Sequence, residues 1–276
     1  MATGMWTAAS GAAAQAQSID TIANNLANAD TTAFKKDAVT FKEYLATLER
    51  EHPTQDIPRG PIQTRELYPL DGKDQSFVVM DGTHTLHEQG HLRVTQQPLD
   101  LALDGPGFLE VSTPMGIRYT RQGNLKLSSD GRLVTAEGFS VLASPNETPE
   151  AALNPSLSLP ARYINLADHS RALTITEQGE IYDRNDLVAK IHLVEFKNLG
   201  KLRKTGGSLF ESLDAKNSFA ATRTAIRQGV LETSNVNPVE EMTKLITANR
   251  LFEQDLKALK TYGELLGKEA NEVGKL

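Results

Sequence analysis

The residues most suggestive of chemistry are the histidines and the glutamate of His87-Glu88-Gln89-Gly90-His91. This segment matches HExxH, in which two histidines on one helical face bind zinc and the glutamate acts as a general base. Its surroundings do not predict a helix, because Gly90 lies inside the motif and residues 92–95 alternate like a strand. We therefore interpret the match as a coincidence. A zinc hydrolase through His87, Glu88 and His91 is kept only as a remote alternative.

A second candidate is the carboxylate pair Asp100 and Asp104, which face the same side of a predicted strand. At about 3.3 Å per residue they lie roughly 13 Å apart, beyond the limit of about 9.5 Å for glycosidase carboxylates. We interpret them as a solvated strand face. The sequence also lacks cysteine, a nucleophile elbow, a phosphate-binding loop and a dinucleotide fingerprint. It predicts no enzyme, no catalytic residue, no metal, no cofactor and no small-molecule substrate.

Charge and hydropathy restrict the possible partners further. The net charge is -6, with acidic and basic residues interspersed, so no basic stripe predicts nucleic-acid binding. No run approaches the roughly 18 apolar residues that would predict membrane insertion. The N-terminal segment lacks a basic region, and Gln15, Gln17 and Asp20 interrupt its apolar residues. We therefore expect no cleaved signal peptide.

The chain begins with a predicted helix from Met5 to Leu26, which is rich in alanine. One row of its residues keeps the alternating spacing of three and four that is typical of a coiled-coil seam: Met5, Ala8, Ala12, Gln15, Ile19, Ile22 and Leu26. This narrow, alanine-rich row buries little area alone, so the helix needs a partner.

A second helix is predicted from Pro238 onwards, because Asn237 can cap it and Glu240 and Glu241 suit its first turn. Its predicted seam has the same spacing: Met242, Leu245, Asn249, Phe252, Leu256, Leu259, Gly263 and Leu266. We expect the two terminal helices to pair. In the alternative arrangement, each lies separately on the central strands.

Between the helices the apolar residues alternate with a period of two, which predicts a β-rich region. Strands are expected around Leu92, Leu101, Phe108, Ile117, Leu125 and Leu133, at Ile164 to Leu166, Leu173 to Ile175 and Ile181 to Tyr182, and from Leu187 to Phe196. The fold class is therefore α+β, with paired terminal helices and a β-rich centre. The predicted parts are an N-terminal helix and junction (1–45), an extended proline-rich connector (46–75), a β-rich domain (76–227) and a C-terminal helix (228–276).

Four stretches of this sequence resemble the flagellar rod and hook family of axial proteins. They are Ile22-Ala23-Asn24-Asn25-Leu26-Ala27-Asn28-Ala29-Asp30-Thr31-Thr32-Ala33-Phe34-Lys35, Gln97-Pro98-Leu99-Asp100-Leu101-Ala102-Leu103-Asp104-Gly105-Pro106-Gly107-Phe108, Tyr119-Thr120-Arg121-Gln122-Gly123-Asn124, and residues 229–242. Within the family the proximal rod type, FlgF, is the most similar, and the distal rod type, FlgG, is second. A four-part match is far more specific than HExxH.

The resemblance implies a structural subunit of the bacterial flagellar basal-body rod that assembles helically and transmits torque. Its implied partners are other rod and hook subunits and copies of itself. Its implied location is the periplasmic rod, reached through the flagellar export channel. The residues expected at the assembly interface are Ile19, Ile22, Asn24, Asn25, Leu26, Asn28, Asn235, Asn237, Pro238, Met242, Leu245, Phe252, Leu256 and Leu259. The amides of Asn24, Asn25 and Asn28 are expected to bind backbone groups of neighbours.

A third class of function is a β-domain that binds a surface partner, with the helices as tethers. It requires an exposed aromatic cluster, whereas aromatic residues make up only 6% of the chain. The rod subunit is therefore the preferred interpretation.

Overall fold

The computed structural model describes residues 2–46, 75–144, 162–167 and 173–273. Helix α1 spans Ala2–Ala27 and helix α2 spans Pro238–Val273, with a β-rich region between them. The α+β class is thus confirmed. The predicted connector lies outside the described residues except for its two end positions.

The described residues between the helices form eighteen strands. In chain order they are β1 (Asp37–Ala46), β2 (Gln75–Thr85), β3 (Leu92–Val94), β4 (Leu101–Asp104), β5 (Phe108–Thr113), β6 (Gly116–Thr120), β7 (Lys126–Leu127), β8 (Leu133–Val134), β9 (Ser140–Val141), β10 (Leu173–Ile175), β11 (Glu180–Asp183), β12 (Asp186–Lys190), β13 (Leu193–Phe196), β14 (Leu202–Gly206), β15 (Leu209–Ser212), β16 (Ser218–Ala220), β17 (Ala225–Gln228) and β18 (Val230–Glu232).

Two compact units divide these elements. One contains α1 up to Ala23, the ribbon of β1 and β2 between Val39 and Thr83, and α2 from Val239. The other contains residues 24–38 and 84–238, and so most of the strands. We call these the helical unit and the β unit.

The β unit is built around a nine-stranded sheet with the order β14-β15-β6-β5-β9-β8-β7, in which β13 pairs with β5 and with β16. Strands β10, β11 and β12 form a separate antiparallel sheet. Apolar residues of these two sheets and of the two-stranded sheet of β4 and β17 fill one core, which includes Leu101, Leu109, Ile181 and Ile226. A smaller cluster gathers the rings of Phe108, Phe196 and Phe210.

Most predicted strands are present, and the differences have local causes. The run from Leu187 to Phe196 is divided into β12 and β13, and residues 163–165 make only isolated bridges, at Tyr163 and Asn165. Eight strands were not among those predicted: β1, β2, β9 and β14 to β18. On β1, residues 40–43 are all exposed, so neither face is buried there and no alternation of apolar and polar residues results.

Two glycines of the β unit are required by close backbone contacts. A Cβ atom on Gly123 would lie 1.7 Å from the carbonyl oxygen of Leu101, and one on Gly90 would lie 2.0 Å from the carbonyl oxygen of Thr233. Backbone hydrogen bonds hold these segments together, since the Leu101 amide donates to the Gly123 carbonyl at 2.9 Å. No side chain fits at either position.

The first testable consequence concerns Gly123. We expect Gly123→Ala to lower the free energy of unfolding of the β unit by roughly 3 kcal/mol or more, because the methyl group overlaps a backbone oxygen. Gly267→Ala is the matched control, since that position in α2 has open space around it, and alanine there should stabilise the helix by about 0.5–1 kcal/mol. Urea titrations followed by far-UV circular dichroism measure both. Equal stability of Gly123→Ala and wild type would contradict the described contact.

Candidate functional site

Three chain segments meet inside the β unit, and we call residues 33–37, 86–91 and 232–236 together the joint. Backbone hydrogen bonds connect them: the Ala33 amide donates to the Glu232 carbonyl at 2.9 Å, and the Leu86 amide donates to the Lys36 carbonyl at 2.9 Å. The Asn235 amide donates to the Phe34 carbonyl at 3.2 Å. The residues that follow α1 and those that precede α2 are therefore held side by side.

A buried ion cluster lies at the centre of the joint. The amine of Lys35 is 2.5 Å from Oε1 of Glu232, and Nε of Arg121 donates to Oε2 of the same carboxylate at 3.0 Å. The side chains of Lys35 and Glu232 are fully buried, and that of Arg121 is only 2% exposed. The Gly90 amide adds a third donor to Glu232 at 3.0 Å. One carboxylate is thus shared by two cations and a backbone amide.

Lys35 also donates to the carbonyl of Glu88 at 2.6 Å. Burial lowers the pKa of the Lys35 amine, and the neighbouring Glu232 carboxylate opposes that shift. Removing one member of a buried ion pair leaves the other as an uncompensated buried charge. The pair is a structural constraint, in which neither member tolerates loss of the other.

Arg121 extends the cluster into the loop between β4 and β5. Its Nη1 donates to the carbonyls of Gly105 at 2.9 Å and Gly107 at 3.0 Å, and its Nη2 donates to the carbonyl of Leu103 at 3.2 Å. The guanidinium carbon lies 5.6 Å from the centre of the Phe108 ring. The planar fork of arginine satisfies several carbonyls at once, which lysine does not do.

Two asparagines of the predicted interface, Asn25 and Asn235, form hydrogen bonds within this chain. The Asn25 side chain, 2% exposed, donates to the Asp37 carbonyl at 2.8 Å and accepts from the Asp37 amide at 3.0 Å. Asn235 accepts from the Lys36 amide at 2.7 Å and donates to the carbonyls of Leu86 and Glu88. Both amides therefore help to hold the joint together.

An outer layer of charged groups covers the same segment. Lys204 donates to the carbonyl of Lys35 at 2.8 Å and to the Asp37 carboxylate at 3.1 Å, and its amine lies 3.7 Å from the centre of the Phe34 ring. Thr85 donates to the same carboxylate at 2.7 Å. These contacts attach β14 and the end of β2 to residues 34–37.

The HExxH segment belongs to the joint and has no helical geometry. Residues 86–91 form no regular element between β2 and β3, and His91 is exposed. Within the described residues, no group of three or more histidine, cysteine, aspartate or glutamate side chains could hold a metal ion. Asp104 binds Arg227 at the surface, as a solvated strand face predicts.

The His87 ring packs between aromatic residues. Its centre lies 5.9 Å from that of Phe108 and 5.3 Å from that of Phe210, and Nδ1 is buried without a hydrogen-bond partner. Burial, together with the positive charges of Lys35 and Arg121, lowers the pKa of His87 to about 4. The ring is therefore neutral at pH 7.

In the helical unit, two glycines of α1 face side chains of α2. A Cβ atom on Gly4 would lie 3.0 Å from the Tyr262 ring, and one on Gly11 would lie 3.3 Å from the carboxylate of Asp255. From the first of these contacts to the second, the residue number rises by seven on α1 and falls by seven on α2. The two helices therefore run in opposite directions at these contacts.

The less exposed face of α2 differs from the predicted seam in one of its two rows. Leu245, Phe252, Leu259 and Leu266 are partly buried, as expected, but the other row consists of Glu241, Ala248, Asp255 and Tyr262. The predicted row of 242, 249, 256 and 263 is exposed. The glycines of α1 explain the difference, because they leave room for Tyr262 and Asp255 on this side.

The exposed side of α2 carries a set of large apolar residues that we call the outer stripe. With helical periodicity its four members lie within about 100° of arc. They are Val239 (73% exposed), Met242 (50%), Ile246 (55%) and Leu256 (45%). Of the remaining predicted interface positions, Asn24, Asn237 and Pro238 are exposed, whereas Ile19, Ile22, Leu26 and Asn28 are partly buried.

The joint was not predicted as a site, although two of its segments overlap the quoted stretches. Lys35, Arg121 and Glu232 each stand in a different one of those stretches. Arg121 is the one charged residue of 119–125 and Glu232 the one charged residue of 228–239, which is a signal that could have indicated buried pairs. Which charge pairs with which requires the fold.

Comparison with known families gives matches at both ends and in the middle of the chain. Residues 5–35 match "Flagella basal body rod protein", residues 102–183 match "Flagellar hook protein FlgE/F/G D1 domain", and residues 227–273 match "Flagellar basal body rod FlgEFG protein C-terminal". In the part of the chain that the structure describes, no helix is long and apolar enough to cross a membrane.

Individual relatives match over nearly the full length. The chain is 32% identical to the flagellar basal-body rod protein FlgG of Borreliella burgdorferi, over 95% of this chain and 96% of that protein. It is 33% identical to FlgG of Caulobacter vibrioides (94% and 95%) and 30% identical to FlgF of the same organism (94% and 92%). These relatives favour the FlgG type. The sequence motifs had favoured the FlgF type.

The second testable consequence concerns the ion cluster. We expect Glu232→Gln to destabilise the β unit by about 3–5 kcal/mol, because it leaves Lys35 and Arg121 buried without a counter-charge. Glu211→Gln is the control: its carboxylate pairs with Arg118 and Arg203 near the surface, so its removal should change little. Urea unfolding measures the difference. Equal stability of the two variants would show that the cluster does not hold the joint.

Proposed function

The chain belongs to the flagellar basal-body rod protein family and is a structural subunit of the rod, and on that premise we propose that its terminal helices form a coiled-coil pair whose outer stripe packs against neighbouring axial subunits. Two steps support this proposal. The first is the contact between α1 and α2. The second is the exposed apolar surface of α2.

The contact between the helices supports an antiparallel pair with a narrow seam. The less exposed positions of α2 alternate in steps of four and three from Glu241 to Leu266, which is the spacing of a left-handed coiled coil. Small residues of α1 face this row at Gly4 and Gly11. Small residues let helix backbones approach closely but bury little apolar area. The pair is therefore close-fitting, and its free energy of association is modest.

The outer stripe supports contact with other subunits. Four large apolar side chains exposed on one face of a helix cost solvation free energy that burial in an interface removes. In a rod, each subunit uses different faces toward different neighbours, and such contacts, when they do not close into a ring, produce a helical filament. The stripe is available for this purpose, because at about 100° per residue its centre lies about 120° around the helix from the row that faces α1.

The work of such a subunit is mechanical. Torque passes through closely packed side chains and satisfied backbone hydrogen bonds, which resist deformation. The joint provides both, through the ion cluster and the backbone bonds between residues 33–37, 86–91 and 232–236. Its location would be the periplasmic rod, reached by export without a cleaved signal peptide, with other rod and hook subunits and further copies of itself as neighbours.

The third testable consequence concerns helix pairing. The chain contains no cysteine, so engineered thiols report only on the chosen pair. We expect Gly11→Cys with Asp255→Cys to form a disulfide within one chain under mild oxidation, because a Cβ atom on Gly11 would lie 3.8 Å from the carboxyl carbon of Asp255. Ala13→Cys with Glu253→Cys, both at exposed positions, is the control pair that should stay reduced. Non-reducing electrophoresis separates the outcomes, and a reduced Gly11–Asp255 pair would contradict the proposed arrangement.

The fourth concerns the outer stripe. Ile246→Glu should reduce swimming severalfold in cells that lack the native subunit, because a carboxylate does not fit an apolar interface. The helical circular dichroism of the purified protein should be unchanged, because Ile246 is exposed. Thr247→Glu is the control, because position 247 is also exposed but lies outside the stripe. Cells that carry this variant should swim normally. Normal swimming of cells that carry Ile246→Glu would show that the outer stripe is not part of the interface.

A further inference from the structure

The mechanical role described above makes no use of the imidazole of His87. Its ring packs between Phe108 and Phe210, and its Nδ1 is buried without a partner. An apolar side chain would fill the same space without this unmet hydrogen bond. The histidine therefore adds a property that packing does not require, which is the ability to gain a charge.

The surroundings of His87 make that charge unfavourable. Lys35, Arg121 and Lys204 place positive charge near the ring, and Asp37 supplies the one negative charge that acts in the opposite direction. Asp37 already pairs with Lys204, and the carboxylate of Glu232 is already shared by Lys35 and Arg121. An imidazolium would be an additional buried cation among groups whose negative charges are occupied.

The two strands that contact the ring offer no compensation. On β5, which carries Phe108, the Glu110 carboxylate pairs with Arg162. On β15, which carries Phe210, the Glu211 carboxylate pairs with Arg118 and Arg203. The side chain of Glu88, beside His87 in the chain, is exposed. The ring can gain a partner for a second N–H only by leaving its position.

We propose that His87 is an acid-sensitive latch of the joint: a proton gained by its ring expels the ring from between Phe108 and Phe210 and opens the contacts that residues 33–37 and 232–236 make with residues 86–91. The ligand of this site is the proton itself. Above the ordinary pKa of histidine the ring is neutral in both the closed and the open joint, so pH has no effect there.

The direction of the change in stability of the joint, and the pH range over which it occurs, follow from the difference in the pKa of His87 between the closed and the open joint. The closed joint holds His87 with a pKa of about 4, against an ordinary value of 6.5. The open joint therefore binds a proton first as pH falls, and the closed form loses stability between pH 6.5 and about 4. Most carboxylates remain ionised at pH 5, so the interval from pH 7 to pH 5 isolates the histidine. Allowing for partial solvent exposure, the opening equilibrium should rise on the order of tenfold over that interval.

Amide hydrogen exchange of the purified full-length chain, corrected for the pH dependence of intrinsic exchange, tests the latch locally. The amides of Leu86, Gly90 and Thr233 bond across the contact that would open, to the Lys36 carbonyl, the Glu232 carboxylate and the His91 carbonyl, whereas that of the buried Ile226 bonds to the Glu177 carbonyl elsewhere in the β unit. We expect protection of the three joint amides to fall about tenfold from pH 7 to pH 5, while that of Ile226 stays constant. His87→Phe keeps an aromatic ring that cannot be protonated, so its joint amides should show no such fall.

Any of three results would overturn the proposal: constant protection of the joint amides in the wild type, the same fall in His87→Phe, or an equal fall at Ile226. The last would assign the effect to the whole β unit, where burial also lowers the pKa of His192. Nuclear magnetic resonance titration of the wild-type His87 ring decides the matter if the variant does not fold. A pKa near 6.5 in the folded protein would exclude the latch, and a value near 4 would support it.

Discussion

The carboxylate of Glu232 is the group on which the joint depends. It is buried, and its partners lie far away in sequence, at Lys35, Gly90 and Arg121. A buried carboxylate persists only when its lone pairs are satisfied, and a buried cation persists only beside its counter-charge. Each of these groups is therefore costly when it is alone. The four segments that carry them have one arrangement in which all are satisfied together.

This constraint also determines what the neighbouring segments do. Once Lys35 and Glu232 are paired, the backbone of residues 33–36 lies against residues 232–235, and the side-chain amides of Asn25 and Asn235 bond the backbone of Asp37 and Lys36. Glycine at position 90 is then required, because a Cβ atom there would collide with the Thr233 carbonyl. The ion cluster, the asparagines and the glycine are thus parts of one solution to burying polar backbone.

Periodicity alone predicted the elements of this fold but not their contacts. Both terminal helices, the start of α2 at Pro238 and most of the strands follow from local spacing and turn residues. The pairing of Lys35 with Glu232, across 197 positions, does not, because no local signal links two charges in separate motifs. The predicted seam of α2 was correct in only one of its two rows. Met242 and Leu256 were predicted to lie in the seam because their side chains are large, whereas the contact with α1 uses the space beside Gly4 and Gly11.

The row of α2 that was wrongly predicted to face α1 distinguishes two roles of an apolar side chain on this helix, which are packing against α1 and packing against another subunit. If α2 had only to hold α1, its largest exposed side chains would face α1, because burial of Met242 and Ile246 stabilises more than burial of Ala248. Instead, glycines face Tyr262 and Asp255, while the outer stripe stays in solvent. A chain selected only for the stability of its monomer gains nothing from this distribution. A subunit whose helices are stabilised mainly by its neighbours does benefit from this distribution. Its strongest association then forms only in the assembled rod.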